Sequence, residues 1–135
     1  MPNITAKERL KRVAVIELVL GLTTELDKLG TSRDMHIVLM AIRLGNYQGR
    51  PMDVTALAAA TSLPRTTVIR HIHALEELGR VKVVTNGRRA IPLLIGSDLP
   101  LVKGFYGKLE QLVIQASSNL SKVDSSRVDT NVNDR

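Results

Sequence analysis

The stretch RTTVIRHIH, residues 65–73, holds the densest set of side chains in the chain that could act on a ligand. Arg65, Thr66, Thr67, Ile69, Arg70 and His73 lie away from the apolar stripe Val68, Ile72, Leu75 and Leu78, which repeats at helical spacing. Guanidiniums and hydroxyls grouped at a helix start suit an anionic, hydrogen-bonding partner. Arginine reaches phosphate oxygens or the acceptor edge of guanine, and hydroxyls reach phosphates or base edges. Glu76 and Glu77 come only at the far end of the same helix. A second basic pair, Arg88-Arg89, follows the hairpin-turn signal Asn86-Gly87.

Each group also has a plainer use. One threonine hydroxyl can cap the helix start. Arg65 can be a solvated surface residue, and Arg88-Arg89 can be charged gatekeepers on an exposed hairpin. Arg70 stands six and seven residues from Glu76 and Glu77, too far for helical ion pairing. His71 and His73 are two apart, on different helix faces, and no cysteine or nearby carboxylate completes a metal site. His36 reads as a helix surface or packing residue.

The charge map agrees with a polyanionic partner. Net charge is +6 over 135 residues. Residues 43–95 carry eight Lys/Arg against three Asp/Glu, whereas 1–42 carry six against five and 96–135 five against five. A local basic excess is the footprint of a nucleic-acid binder. With no cysteine, three scattered histidines and no glycine-rich phosphate loop, no catalytic constellation is visible, and no metal or cofactor is expected. The apolar run 13–22 is about half of the ~20 residues of a membrane span and is broken by Glu17, so a cytoplasmic chain is expected.

The elements that must position these groups can be read in order. Thr5 and Glu8 suggest a capping box for a helix over 6–29 that stops at Gly30. Its residues 13–22 are apolar nearly all round, which calls for burial on more than one side. Thr31 or Ser32 caps a helix over 32–45 with the stripe Ile37, Val38, Ala41, Ile42 and Leu44, before the turn cluster GNYQGRP. Asp53 caps a short helix over 54–60, with Leu57 and Ala58 facing inward. A tight break at 61–63 leads to Pro64, which suits the first turn of the next helix. Residues 80–85 and 88–95 read as a hairpin, with Pro92 at an edge. Asp98 with Pro100 opens a last helix to about 121, with the stripe Val102, Phe105, Leu109, Leu112 and Ala116. Residues 122–135 have little to bury and are expected to be disordered.

The fold class expected is mainly α with a small β-hairpin wing: a winged helix-turn-helix at 32–96 between long helices at 1–31 and 97–121. The short helix would brace the next one so that its outer N-terminal residues enter a major groove. The wing would reach the backbone or a minor groove.

The phrase LPRTTVIRHIHALEELG resembles the helix-turn-helix of IclR-type bacterial regulators, with its Leu-Pro-basic start and Thr67-Val68 followed by Arg70. The layout is similar to MarR-type regulators, in which flanking terminal helices pair in a dimer; the large effector domain that the IclR type carries after the wing is not expected in these 135 residues. Three positions depart from these patterns. Ser62 stands where the turn often has glycine, Ala56 where glutamate is common, and no acid sits beside the wing arginines. The resemblance implies a homodimeric, sequence-specific binder of double-stranded DNA with Arg65, Thr66, Thr67, Ile69, Arg70 and His73 at the groove and Arg88 and Arg89 on the wing. MarR-type relatives often hold a small phenolic or lipophilic effector; this composition gives no specific support for one. The alternative is a winged protein-interaction module that does not read DNA.

Overall fold

Three helices start at side-chain oxygens that the sequence marks. The computed structural model describes residues 3–30 and 32–125. Helix α1 (Ala6–Asp27) is capped by Thr5, whose hydroxyl oxygen accepts from the Glu8 amide at 3.0 Å. The Glu8 carboxylate accepts from that same hydroxyl at 3.2 Å, which leaves the cap one-sided rather than a reciprocal box. Helix α2 (Arg33–Tyr47) is capped by Ser32, and the other candidate, Thr31, lies outside the described residues. Helix α3 (Val54–Thr61) starts at Asp53, which accepts from the Ala56 amide at 2.9 Å. Helix α4 (Arg65–Glu77), strands β1 (Val81–Asn86) and β2 (Arg89–Leu94), and helix α5 (Phe105–Ser125) complete the order. None of these helices is long and apolar enough to cross a membrane.

The chain forms two compact units, one of α1 with α5 and one spanning Gly30–Leu99. In the second, α2, α3 and α4 meet on an aliphatic centre of Val38, Leu39, Ile42, Leu57, Val68 and Leu75, all essentially inaccessible, with Val81 and Pro92 closing it from the hairpin. Burying each such side chain contributes about 1.5–3 kcal/mol. Two residues expected in these stripes lie outside: Leu44 is 49% and Leu78 58% exposed. The inner face of α2 instead passes through Leu39, Arg43 and Gly45, and Leu78 is already the C-cap of α4. Gly45 belongs to the helix rather than to a turn. A Cβ there would stand 2.8 Å from the Arg50 carbonyl oxygen, so the chain can fold back on α2 only at glycine.

Strands β1 and β2 pair antiparallel, with Val83 opposite Pro92 and Asn86 opposite Arg89. The two-residue turn is therefore Gly87-Arg88, glycine first at φ +64°, rather than Asn86-Gly87. On the outer edge of β2 the Asn46 carboxamide donates to the Pro92 carbonyl (3.3 Å) and accepts from the Leu94 amide (3.1 Å). Since the Pro92 carbonyl points away from β1, its ring nitrogen does too, and the missing N–H costs no ladder bond.

The last helix begins at Phe105, not at Asp98, and continues to Ser125, so residues 122–125 are helical; 126–135 lie outside the described residues. Val102 precedes the helix and is exposed. Asp98 has a different task. At φ +50° it turns its carboxylate to the buried Arg43, whose Nε donates to both oxygens at 2.9 and 3.1 Å, while Tyr47 Oη donates to it as well. Arg80 donates to the next carbonyl, that of Leu99.

Helices α1 and α5 run antiparallel, with Lys11 against Asp124 near one end and Glu25 against Lys108 near the other. Ala14 and Ala116 are buried where the two helices meet, Phe105 is buried at the start of α5, and Gly21 lets Leu112 approach closely. The rest of the apolar run on α1 faces outward: Val13, Ile16 and Leu20 are each about half exposed or more.

Ser62 ends α3 in the left-handed region at φ 59°, a conformation that costs a residue with a Cβ about 1 kcal/mol. Ser62→Gly is expected to raise unfolding free energy by about 0.5–1 kcal/mol in urea titration; an unchanged or lower midpoint would show that the serine side chain compensates.

Candidate nucleic-acid interface

Helix α4 sorts its residues by face. Val68, His71, Ile72 and Leu75 turn inward and are buried. Arg65, Ile69 and His73, spaced four apart, share one outward line, and Thr66 and Arg70 share the adjacent one. The helix starts one residue later than its sequence suggests: Pro64 is the N-cap and no side chain caps the end. Neither Thr66 nor Thr67 is thus committed to capping; Thr66 is exposed and Thr67 half-buried.

A cleft of about 300 Å³ runs between α4, the start of α3 and the hairpin. Five of the eight residues singled out in the sequence line it: Arg65, Ile69 and His73 from α4, and Arg88 and Arg89 from the wing. Its floor is apolar, from Val54, Ile72, Val83, Ala90 and Pro92. Thr66, Thr67 and Arg70 lie outside the cleft on the exposed start of α4. The basic rim of the cleft and the start of α4 make one cationic surface with an apolar seam, which suits a phosphate backbone flanked by base edges.

Two of the arginines are tied to the start of α3. Arg65 donates to the Thr55 hydroxyl, and Arg89 Nε donates to the Asp53 carboxylate at 2.8 Å. The Ala56 amide and then the Arg89 guanidinium hold the Asp53 carboxyl below the usual carboxylate range. One wing arginine, Arg89, thus does have an acidic partner, supplied by the N-cap of α3 rather than by the wing. Neither Asp53 nor Thr55 stood out as a site residue. The available signal was that Asp53 is the single acid between Arg43 and Leu75 in a basic stretch. Arg70 and Arg88 make no hydrogen bond or ion pair among the described residues, and Arg88 sits at the tip of the turn.

The two histidines of α4 have opposite environments. His73 is exposed, while His71 is buried with Nε2 lacking a hydrogen-bond partner. Burial, then the nearby Arg70 charge, push the His71 imidazole below its ordinary value of 6.5, against a smaller opposing effect from Asp34. His36 is buried too and shifted the same way by burial and by Arg43.

Comparison with known proteins accords with this geometry. Residues 46–84, from the end of α2 into β1, match the IclR helix-turn-helix domain. No curated protein sequence matches the chain. Among solved structures, a MarR-family transcriptional regulator from Silicibacter pomeroyi is similar at TM-score 0.52 and 13% identity, covering 84% of this chain and 71% of that one. BpsR of Bordetella bronchiseptica, whose DNA binding is regulated by 6-hydroxynicotinic acid, gives 0.45 and 16%, covering 94% and 82%. The M. tuberculosis transcriptional regulator MosR gives 0.42 and 23%, covering 87% and 79%. The chain has a winged helix-turn-helix fold, and its residues 46–84 are similar to the IclR helix-turn-helix domain.

The lowered His71 value means that the folded state holds this imidazole neutral where the unfolded chain would protonate it. Its contribution is therefore complete above pH 6.5 and is lost as pH falls through the lowered folded value. Stability is expected to drop on acidification below pH 6.5, and His71→Leu is expected to flatten that part of the curve, measured by urea titration across pH; an unchanged slope would assign the loss to other groups.

Proposed function

We propose that the protein is a dimeric, sequence-specific DNA-binding regulator that places the start of α4 in a major groove and the wing on the backbone or in the adjacent minor groove. The observation that carries this reading is the gathering of Arg65, Ile69, His73, Arg88 and Arg89 around one cleft, with Arg70, Thr66 and Thr67 beside it. A recognition helix braced by a short helix and flanked by a hairpin is the geometry by which such domains dock on a duplex. Arg70 and Arg88 are available to phosphates or guanine edges, and Ile69 offers an apolar contact of the kind a thymine methyl accepts. Glu76 and Glu77 stand at the far end of α4, where repulsion from phosphate is least.

One domain reads few base pairs. Val13, Ile16 and Leu20 of α1 and Val113 and Ile114 of α5 are exposed apolar side chains of the kind that a second copy of the chain would cover. A two-fold dimer then matches a palindromic site with half-sites about one helical turn apart.

Selection from a random duplex pool tests the whole reading, and a palindromic consensus is the expected result. Affinity for the selected site is expected to fall steeply with salt, and Arg70→Ala to weaken it by about 1–3 kcal/mol with little change in melting temperature. Enrichment of no sequence, or a flat salt response, would sink the proposal; unfolding of Arg70→Ala would make that residue structural. For the dimer, Ile16→Glu at a 54% exposed position is expected to shift the chain to monomer in sedimentation velocity while it stays folded. An unchanged sedimentation coefficient would place the interface elsewhere.

A further inference from the structure

The two wing arginines are adjacent in sequence yet differ in surroundings. Arg88 is the second residue of the turn and projects from the tip without an ion-pair partner among the described residues. Arg89 is the first residue of β2, and its guanidinium bends back to Asp53, 36 positions earlier. Asp53 uses both carboxylate oxygens. Oδ1 accepts from the Ala56 amide and caps α3, while Oδ2 accepts from Arg89. One side chain therefore links the brace of the recognition helix to the root of the wing turn. Thr55, two residues on, holds Arg65 from the other side of the cleft. Asp53 is an acid on a surface that binds best when positive, so its charge opposes any polyanion directly. Its presence there calls for a function that outweighs that repulsion.

We propose that Asp53 is a positioning residue for DNA binding, and that Arg89 acts through Asp53 to fix the wing, leaving Arg88 as the wing residue that meets phosphate. The proposal rests on the DNA-binding reading above. In a duplex complex the hairpin must hold its tip at a set distance from α4, because the two elements address neighbouring grooves. A two-stranded hairpin is marginal by itself, so its orientation depends on what ties it to the domain. On the face of β2 toward α3, the charged bond between Asp53 and Arg89 is such a tie, and it lies next to the turn where leverage is greatest.

Two variants separate this role from its alternatives. Asp53→Asn keeps the α3 cap, since a carboxamide oxygen still accepts from the Ala56 amide, but loses the charged partner of Arg89. Arg89→Ala removes the other half of the pair. Both are measured by fluorescence polarisation on a labelled mixed-sequence duplex over a range of salt, and by hydrogen exchange of the free protein. Expected for each is a loss of affinity of about two- to fivefold, with the double variant no worse than either single one. The salt slope of Arg89→Ala should stay at the wild-type value. Wing amides from Val84 to Ala90 should exchange faster in both variants while α3 amides and the melting temperature hold.

The opposite results are equally definite. If Asp53 merely repels DNA, Asp53→Asn binds tighter than wild type. If Arg89 is itself a phosphate contact, Arg89→Ala reduces the salt slope by about one. Either result overturns the proposal, as does unchanged wing exchange. Failure of the wild-type chain to bind any duplex at low salt overturns the DNA reading and the role assigned here together, and in that case the exchange data still show separately whether the tie orders the wing.

Discussion

How closely three short helices can meet governs everything that the winged unit presents. No aromatic side chain is buried there; Tyr47 is exposed and the other two aromatics belong to α5. The centre is filled by Leu57, Val68, Leu75, Val38, Leu39 and Ile42 at essentially zero exposure, so cohesion must come from close approach rather than from bulk. Ala41 on α2 and the alanines of α3 permit that approach. The orientation of α4 follows, because its Val68, Ile72 and Leu75 have one set of gaps to fill. The outward line Arg65, Ile69, His73 is then fixed by helical geometry.

The fold also redistributes the basic excess. Arg43 contributes to the count over 43–95 yet is buried against Asp98, which lies beyond that window. Arg89 is matched by Asp53, and Arg80 is turned to the Leu99 carbonyl. Arg65 and Arg70 remain at the start of α4 and Arg88 at the tip of the wing, with Arg50 and Lys82 exposed elsewhere on the unit. The Arg43–Asp98 pair is a poor source of net stability, since desolvation offsets most of its attraction. What it does is fix the path of the chain just before residue 100, with Asp98 held in a left-handed conformation.

Local chemistry made most elements legible. The caps at Thr5, Ser32 and Asp53 and the α4 stripe each depend on residues within four positions of one another, as does the hairpin, although its turn falls one residue later than Asn86-Gly87. Errors arose where distant groups compete for a residue. Asp98 with Pro100 has the form of a helix start, but Arg43, 55 positions away, takes the carboxylate and the helix waits until Phe105. Leu78 fits the α4 spacing but falls past the last helical residue. The candidate site was legible as a set of residues, five of which share a cleft. The division between Arg88 and Arg89 was not, because the acid that separates them is contributed by another helix.

Asn46 has a bearing on how the wing behaves among many copies of itself. Its carboxamide meets β2 with one donor and one acceptor, as a neighbouring strand would, at Pro92 and Leu94. A two-stranded ribbon otherwise offers an open ladder on which a passing extended peptide can add itself. Here that outer rung is already occupied from within the molecule, and Pro92 has no N–H to extend it. Strand addition along this stretch of the wing is closed off, so the β2 edge of the basic hairpin offers no continuous ladder at Pro92 and Leu94.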